Sequence, residues 1–138
     1  MSNKKAVFNH CFFKNNRLKI ILYPIVCLFS ITYFWVSGQY LDALGFTLIH
    51  LYGLHPLTIM IVSIFLAYQN DIGKWAFVFA FFCGICLMGT DYLTFSLSNM
   101  LTFSVINRPE LMLIPIGAAV SFFGELLGFI AKQVIKRT

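Results

Sequence analysis

Four stretches of this chain each run for about 17–25 mostly apolar residues, the length a helix needs to cross a hydrocarbon core roughly 30 Å thick. The first covers 20–36 (IILYPIVCLFSITYFWV), near the short limit. The second covers 44–68 and is interrupted by His50, Gly53, His55 and Pro56; the third covers 75–94 and the fourth 111–130. Lipid offers backbone groups no hydrogen bonds, so runs of this kind must satisfy their own and fold as helices. Composition agrees with that reading. Charged residues are 11% of the 138, where a water-soluble domain carries about 25%. Mean hydropathy is +0.83. The expected fold class is an all-α integral membrane protein, a single transmembrane domain of four helices in an antiparallel bundle.

Charge sets the orientation. Lys4, Lys5, Lys14, Arg17 and Lys19 fall in a basic segment, 1–19, ahead of the first run, and Lys132, Lys136 and Arg137 fall in the tail, 131–138. Between them only Lys74 and Arg108 are basic. Lys and Arg collect on the cytoplasmic side of a membrane protein, and an even number of spans returns the chain to its starting side. Both termini are therefore expected in the cytoplasm and the protein in the cell inner membrane, multi-pass. A net charge of +5 raises the question of nucleic acid, but these positives flank apolar spans and form no patch on a soluble face. Trp35, Tyr33, Tyr40, Tyr68, Trp75 and Tyr92 fall near span ends, where amphipathic rings belong.

Two segments admit more than one reading. The basic leader followed by an apolar run and Val36-Ser37-Gly38 loosely fits a cleavable signal peptide, although the run is longer than a usual signal core. Residues 95–107 (FSLSNMLTFSVIN) mix Ser, Thr and Asn with apolar residues; they extend span three, lie in the outer interface or re-enter. Arg108-Pro109-Glu110 marks a loop, since proline disfavours helix at the residue before it.

Small residues predict which faces meet. Lipid gives helices no hydrophobic reason to associate, so close approach matters more. Gly117, Ser121, Gly124 and Gly128 lie on one face of span four, and Ala76, Ala80 and Gly84 form a similar stripe on span three. Packing within the bundle and a homodimer face both fit these stripes.

Ionisable residues inside spans call for a functional hypothesis. Continued by two turns, the stripe of span three arrives at Asp91, and by helical rise Asp91 and His50 sit at similar depth in the outer part of the membrane. Either they face each other, or Asp91 reaches for the headgroups. Glu125 falls near the inner side, to be paired with Lys132 or Lys74, or else to bind a cation as buried carboxylates in small proton-coupled exporters do. His55-Pro56 should kink span two, because Pro56 has no N–H and clashes with the Tyr52 carbonyl. A freed carbonyl beside His55 is suited to a proton or an ion.

Cys83-Gly84-Ile85-Cys86 is a CxxC within apolar helices, as a quinone-linked thiol oxidoreductase would use, with Cys11 and Cys27 as the other cysteines. Nothing in the sequence supplies a cofactor motif, a metal-ligand spacing or a hydrolytic triad, so no cofactor and no metal are expected. The first expectation is a non-enzymatic membrane protein that binds another membrane protein or a membrane-active agent, as an accessory subunit, toxin-immunity or phage-exclusion protein does. The alternative is a small oligomeric transporter, flippase or channel using Asp91, His50 or Glu125. Expected partners are the lipid bilayer and a second membrane protein or a further copy of the chain, with no nucleic acid.

Overall fold

The structure is a computed structural model and describes residues 16–38, 42–69 and 74–137. Lys4, Lys5, Cys11, Lys14, Tyr40 and residues 71–73 lie outside the described residues, as do the side chains of Arg17, Lys19, Lys74, Lys136 and Arg137. Every regular element among the described residues is helical. Helix α1 is Asn16–Ser37 and α2 is Ala43–Gln69. Helix α3 runs without a break through Lys74–Asp91, Tyr92–Ser96 and Leu97–Phe103, and α4 is Leu113–Arg137. All four are long and apolar enough to cross a membrane.

The ends of the helices follow local chemistry. Asp42 caps α2, its carboxylate accepting from the Leu44 N–H at 3.1 Å. Helix α3 passes the expected limit at residue 94 and stops at Ser104, whose φ of 54° turns the chain left-handed. Residues 95–103 thus extend span three, since Ser and Asn do not break a helix whose apolar neighbours continue. The 29 residues of Trp75–Phe103 would reach about 44 Å at 1.5 Å each, well beyond a core of roughly 30 Å. Helix α4 begins at Leu113, two residues later than expected, and Pro115 occupies its first turn, where no N–H is needed.

Two wide turns interrupt the α-helical ladder. In α2, Thr47–Leu54 is π-helical, and the His55 N–H reaches the carbonyl of His50, five residues back. Pro56 explains the position: it brings no N–H, and widening the preceding turn relieves its ring against the Tyr52 carbonyl. In α3, Tyr92–Ser96 is π-helical. There the Thr94 hydroxyl donates back to the carbonyls of Thr90 (2.8 Å) and Asp91 (3.2 Å), and Trp35 Nε1–H donates to the Leu93 carbonyl from α1 at 3.0 Å. Outside donors on these carbonyls compete with the regular ladder.

Helix α4 packs most closely, and it does so on α2 and α3. A Cβ on Gly117 would stand 2.7 Å from the Gly84 Cα, and one on Gly124 would stand 2.8 Å from the Met60 carbonyl oxygen. A Cβ on Gly84 would meet the Ile114 carbonyl, and one on Gly128 that of Ile64. The stripe on span four is thus used inside the chain, Gly117 against Gly84 of the span-three stripe and Gly124 and Gly128 against α2; Ala80 is fully buried and Ala76 half-buried. Occupied in this way, the glycine face is not free to receive a second copy.

Helix α1 also packs on α2 and α3, by another means. Its buried face is Tyr23, Cys27, Ser30 and Phe34. Phe34 meets Phe46 of α2 and Phe95 of α3 edge-on, each at 5.2 Å between ring centroids. Outside, Ile25, Leu28, Leu48, Ile49, Phe77, Val78, Phe123 and Leu126 are exposed, while serines, threonines, histidines and a glutamate are buried. This inversion of a soluble protein's pattern fits a chain that faces lipid.

Candidate functional site

The polar groups that the helices enclose form a column. Toward the start of α2, His50 Nδ1 lies 3.1 Å from the Ser30 hydroxyl oxygen. The imidazole lies nearly parallel to Phe46 (4.5 Å between centroids) and Tyr33 (5.1 Å), which fix its plane. Near the middle of α2, His55 is fully buried. Its Nδ1 lies 3.3 Å from the Tyr23 hydroxyl and 3.9 Å from the Cys27 sulfur, and the Tyr23 ring stands edge-on to it. The other ring nitrogen, Nε2, is buried and has no hydrogen-bond partner.

The wide turn of α2 makes this column continuous. Five residues of regular α-helix turn a side chain by about 500°, which would set His55 roughly 140° around the helix from His50. A π turn takes more residues per revolution, so the same five residues come close to a full circle. Both histidines thereby join the buried side of α2, together with Phe46, Ile59 and Ser63.

Farther along, Cys27 interacts with Cys86 and the Thr90 hydroxyl, both on α3. Cys83, one turn before Cys86, interacts with Ser121 of α4. Ser121 shares a 2.8 Å hydrogen bond with Ser63 of α2 and faces the Glu125 carboxyl one turn on. Glu125 is 4% exposed, a carboxyl enclosed where Gly124 and Gly128 bring α4 against α2. Tyr23, Cys27, Cys83, His55 and the serines and threonines can all donate or accept a proton. Glu125 adds a carboxyl, so the column holds exchangeable protons along most of its length.

Several sequence expectations resolve differently. Asp91 and His50 are not paired: His50 faces Ser30 on α1, and the charged neighbour of the half-buried Asp91 is Glu110, a like charge on the connection to α4. Equal depth says nothing about adjacency, and α1 lies against both α2 and α3, which make few direct contacts with each other. The CxxC thiols turn to different neighbours, Cys86 to Cys27 and Cys83 to Ser121. For Glu125, the Lys74 side chain lies outside the described residues, and Lys132 is half-buried and engaged. Among the described residues no three His, Cys, Asp or Glu side chains gather to hold a metal ion.

Sequence reasoning passed over Tyr23, Ser30, Ser63, Thr90 and Thr94. A signal existed for α1: Tyr23, Cys27, Ser30 and Phe34 recur at helical spacing. In a span that is apolar all round, that stripe has no polar contrast to draw attention.

Compared with protein-family models, with curated proteins and with solved structures, the chain matches none.

Proposed function

We propose that this chain is a small inner-membrane transporter or channel, an antiparallel four-helix bundle with both termini in the cytoplasm, which passes a proton or small cation along its buried polar column. One observation carries the reading. Glu125 is a buried carboxyl on the close-packed face of α4, and it continues through Ser121 toward Cys83 and the Tyr23–Cys27–His55 group. Helix adhesion alone is served by serine or threonine pairs; a carboxyl inside a membrane is expensive and is kept where a charge has to be bound. The protein works here without covalent chemistry, by offering exchangeable sites across the apolar layer.

The test is reconstitution. Purified protein in liposomes should dissipate a gradient of protons, sodium or potassium, and Glu125→Gln, folded to the same extent, should lose that activity. Liposomes that stay tight to all three ions would end this reading.

A second reading is binding of another membrane protein or membrane-active agent. It is supported by the short connections, which give a partner little to meet outside the bilayer. Crosslinking in native membranes and identification of the captured species tests it independently of flux.

A further inference from the structure

We infer that the cargo of the column is the proton, and that His55 is the side chain that relays it through the middle of the membrane. The inference rests on the transport reading above and narrows it to one ion and one residue.

His55 is the point at which the interior is incomplete. A buried polar nitrogen without a partner forfeits hydrogen bonds it had in water, a loss that folded proteins rarely accept without a function. Here Nε2 is that nitrogen, on a fully buried ring. Its position does not depend on the tautomer. If Nδ1 carries the hydrogen, it donates toward Tyr23 or Cys27 and leaves the Nε2 lone pair idle. If Nε2 carries it, Nδ1 accepts from the Tyr23 hydroxyl and the Nε2–H points at nothing that accepts. In both cases one edge of the imidazole is engaged with the column, and the other is placed to take up a proton in the first tautomer or release one in the second.

Such a ring transfers without net change. Nδ1 exchanges with Tyr23 or Cys27 and Nε2 with an entering water molecule: one N–H bond forms at the nitrogen that receives the incoming proton, and the N–H bond at the other nitrogen breaks as its proton leaves. The imidazole ends neutral in the opposite tautomer. A ring flip restores the starting tautomer for the next proton. The groups that face His55 suit this exchange: Tyr23 and Cys27 from α1, and His50 one wide turn away on α2. Cys86 and Thr90 of α3 stand behind Cys27, and Ser121 and Glu125 of α4 continue beyond Cys83. All of them exchange protons, whereas a sodium or potassium ion wants a cage of several oxygens.

The experiment uses full-length protein in liposomes loaded with a pH-sensitive dye, with a potassium diffusion potential as the driving force. Proton flux should appear, sodium flux should not, and His55→Gln should cut proton flux by roughly 100-fold, the scale for removing a positioned proton-transfer group. Folding of the variant is checked by its helical circular dichroism and its elution in detergent. Should His55→Gln fail to fold, the wild-type protein decides the matter through the ¹⁵N spectrum of its histidines in bilayers. Both tautomers of His55 in exchange support the relay, and one fixed tautomer overturns it. Sodium or potassium flux without proton flux overturns the inference but leaves transport standing. Proton flux that survives in folded His55→Gln overturns the role of His55. Liposomes tight to every ion overturn the transport reading, and this inference with it.

Discussion

Ser63 of α2 and Ser121 of α4 meet hydroxyl to hydroxyl at 2.8 Å, both fully buried, on the same α4 face that carries Gly117 and Gly124. The close approach created by the glycines is what lets two short side chains touch. Hydrogen bonds of this kind between membrane helices are worth about 0.6 kcal/mol on average and up to about 1.7. Ser63→Ala should fall in that range in a denaturation titration in mixed micelles. Adding Ser121→Ala should cost less than the sum of the single losses, since neither partner then remains to be satisfied. Strict additivity would mean that the pair contributes no coupling.

Two glycines of α3 should respond in opposite directions. A methyl group on Gly84 meets the Ile114 backbone, which cannot yield without moving α4, while Gly89 has nothing within 4 Å of a built Cβ. Gly84→Ala should destabilise by about 1–3 kcal/mol through overpacking. Gly89→Ala should be neutral or stabilise by up to roughly 1 kcal/mol through helix propensity. Thermal unfolding in one detergent compares them directly, and equal behaviour would contradict the contact of α3 with α4.

Legibility in the sequence followed the kind of signal available. The number of spans was plain, because only apolar runs of that length can cross a bilayer. The stripe Gly117, Ser121, Gly124, Gly128 could be read because small residues at helical spacing mark a close approach, and the structure uses it to join α4 to α2 and α3. Which helices are neighbours could not be read, and so depth alone left Asp91 with two alternatives, facing His50 or reaching for the headgroups, while His50 turns to Ser30. The shared side of His50 and His55 was also hidden. It depends on a π turn that no regular periodicity reports, although Pro56 marks its position.

Cysteine chemistry should separate the two candidate thiol pairs. Cys86 interacts with Cys27 across the α1–α3 contact, whereas Cys83 is directed to Ser121. A membrane-permeant oxidant should therefore join Cys27 to Cys86, and Cys83→Ser should leave that crosslink intact. Peptide mapping by mass spectrometry reads the result. A disulfide between Cys83 and Cys86 would contradict the arrangement described here.

Asp42 tests the start of α2. Its carboxylate accepts the Leu44 N–H at 3.1 Å, so Asp42→Ala should cost about 0.5–2 kcal/mol while Asp42→Asn retains most of the cap. Hydrogen exchange at Leu44 locates the effect: faster exchange in the alanine variant alone is expected.

Topology is the broadest test. Reporter fusions at Lys5, around 71–73 and after Arg137 should give the cytoplasmic signal, and fusions near Gln39 or Arg108 the external one. An external signal after Arg137 would rule out four spans with both ends inside.

The way α4 is wedged between α2 and α3 has a consequence for how the protein is made. Those two helices make few direct contacts with each other, and their backbones come close to Gly117, Gly124 and Gly128 of α4. During synthesis α4 leaves the ribosome after the other three helices. Until then the earlier helices are held by the contacts of α1, its aromatic packing and its hydrogen bonds to α2 and α3, and the Ser63 hydroxyl has yet to meet its partner. Assembly of these four helices is therefore held open until α4 has been made. A chain released before Leu113 would keep three inserted helices and lose the helix that locks them, a natural substrate for membrane quality control.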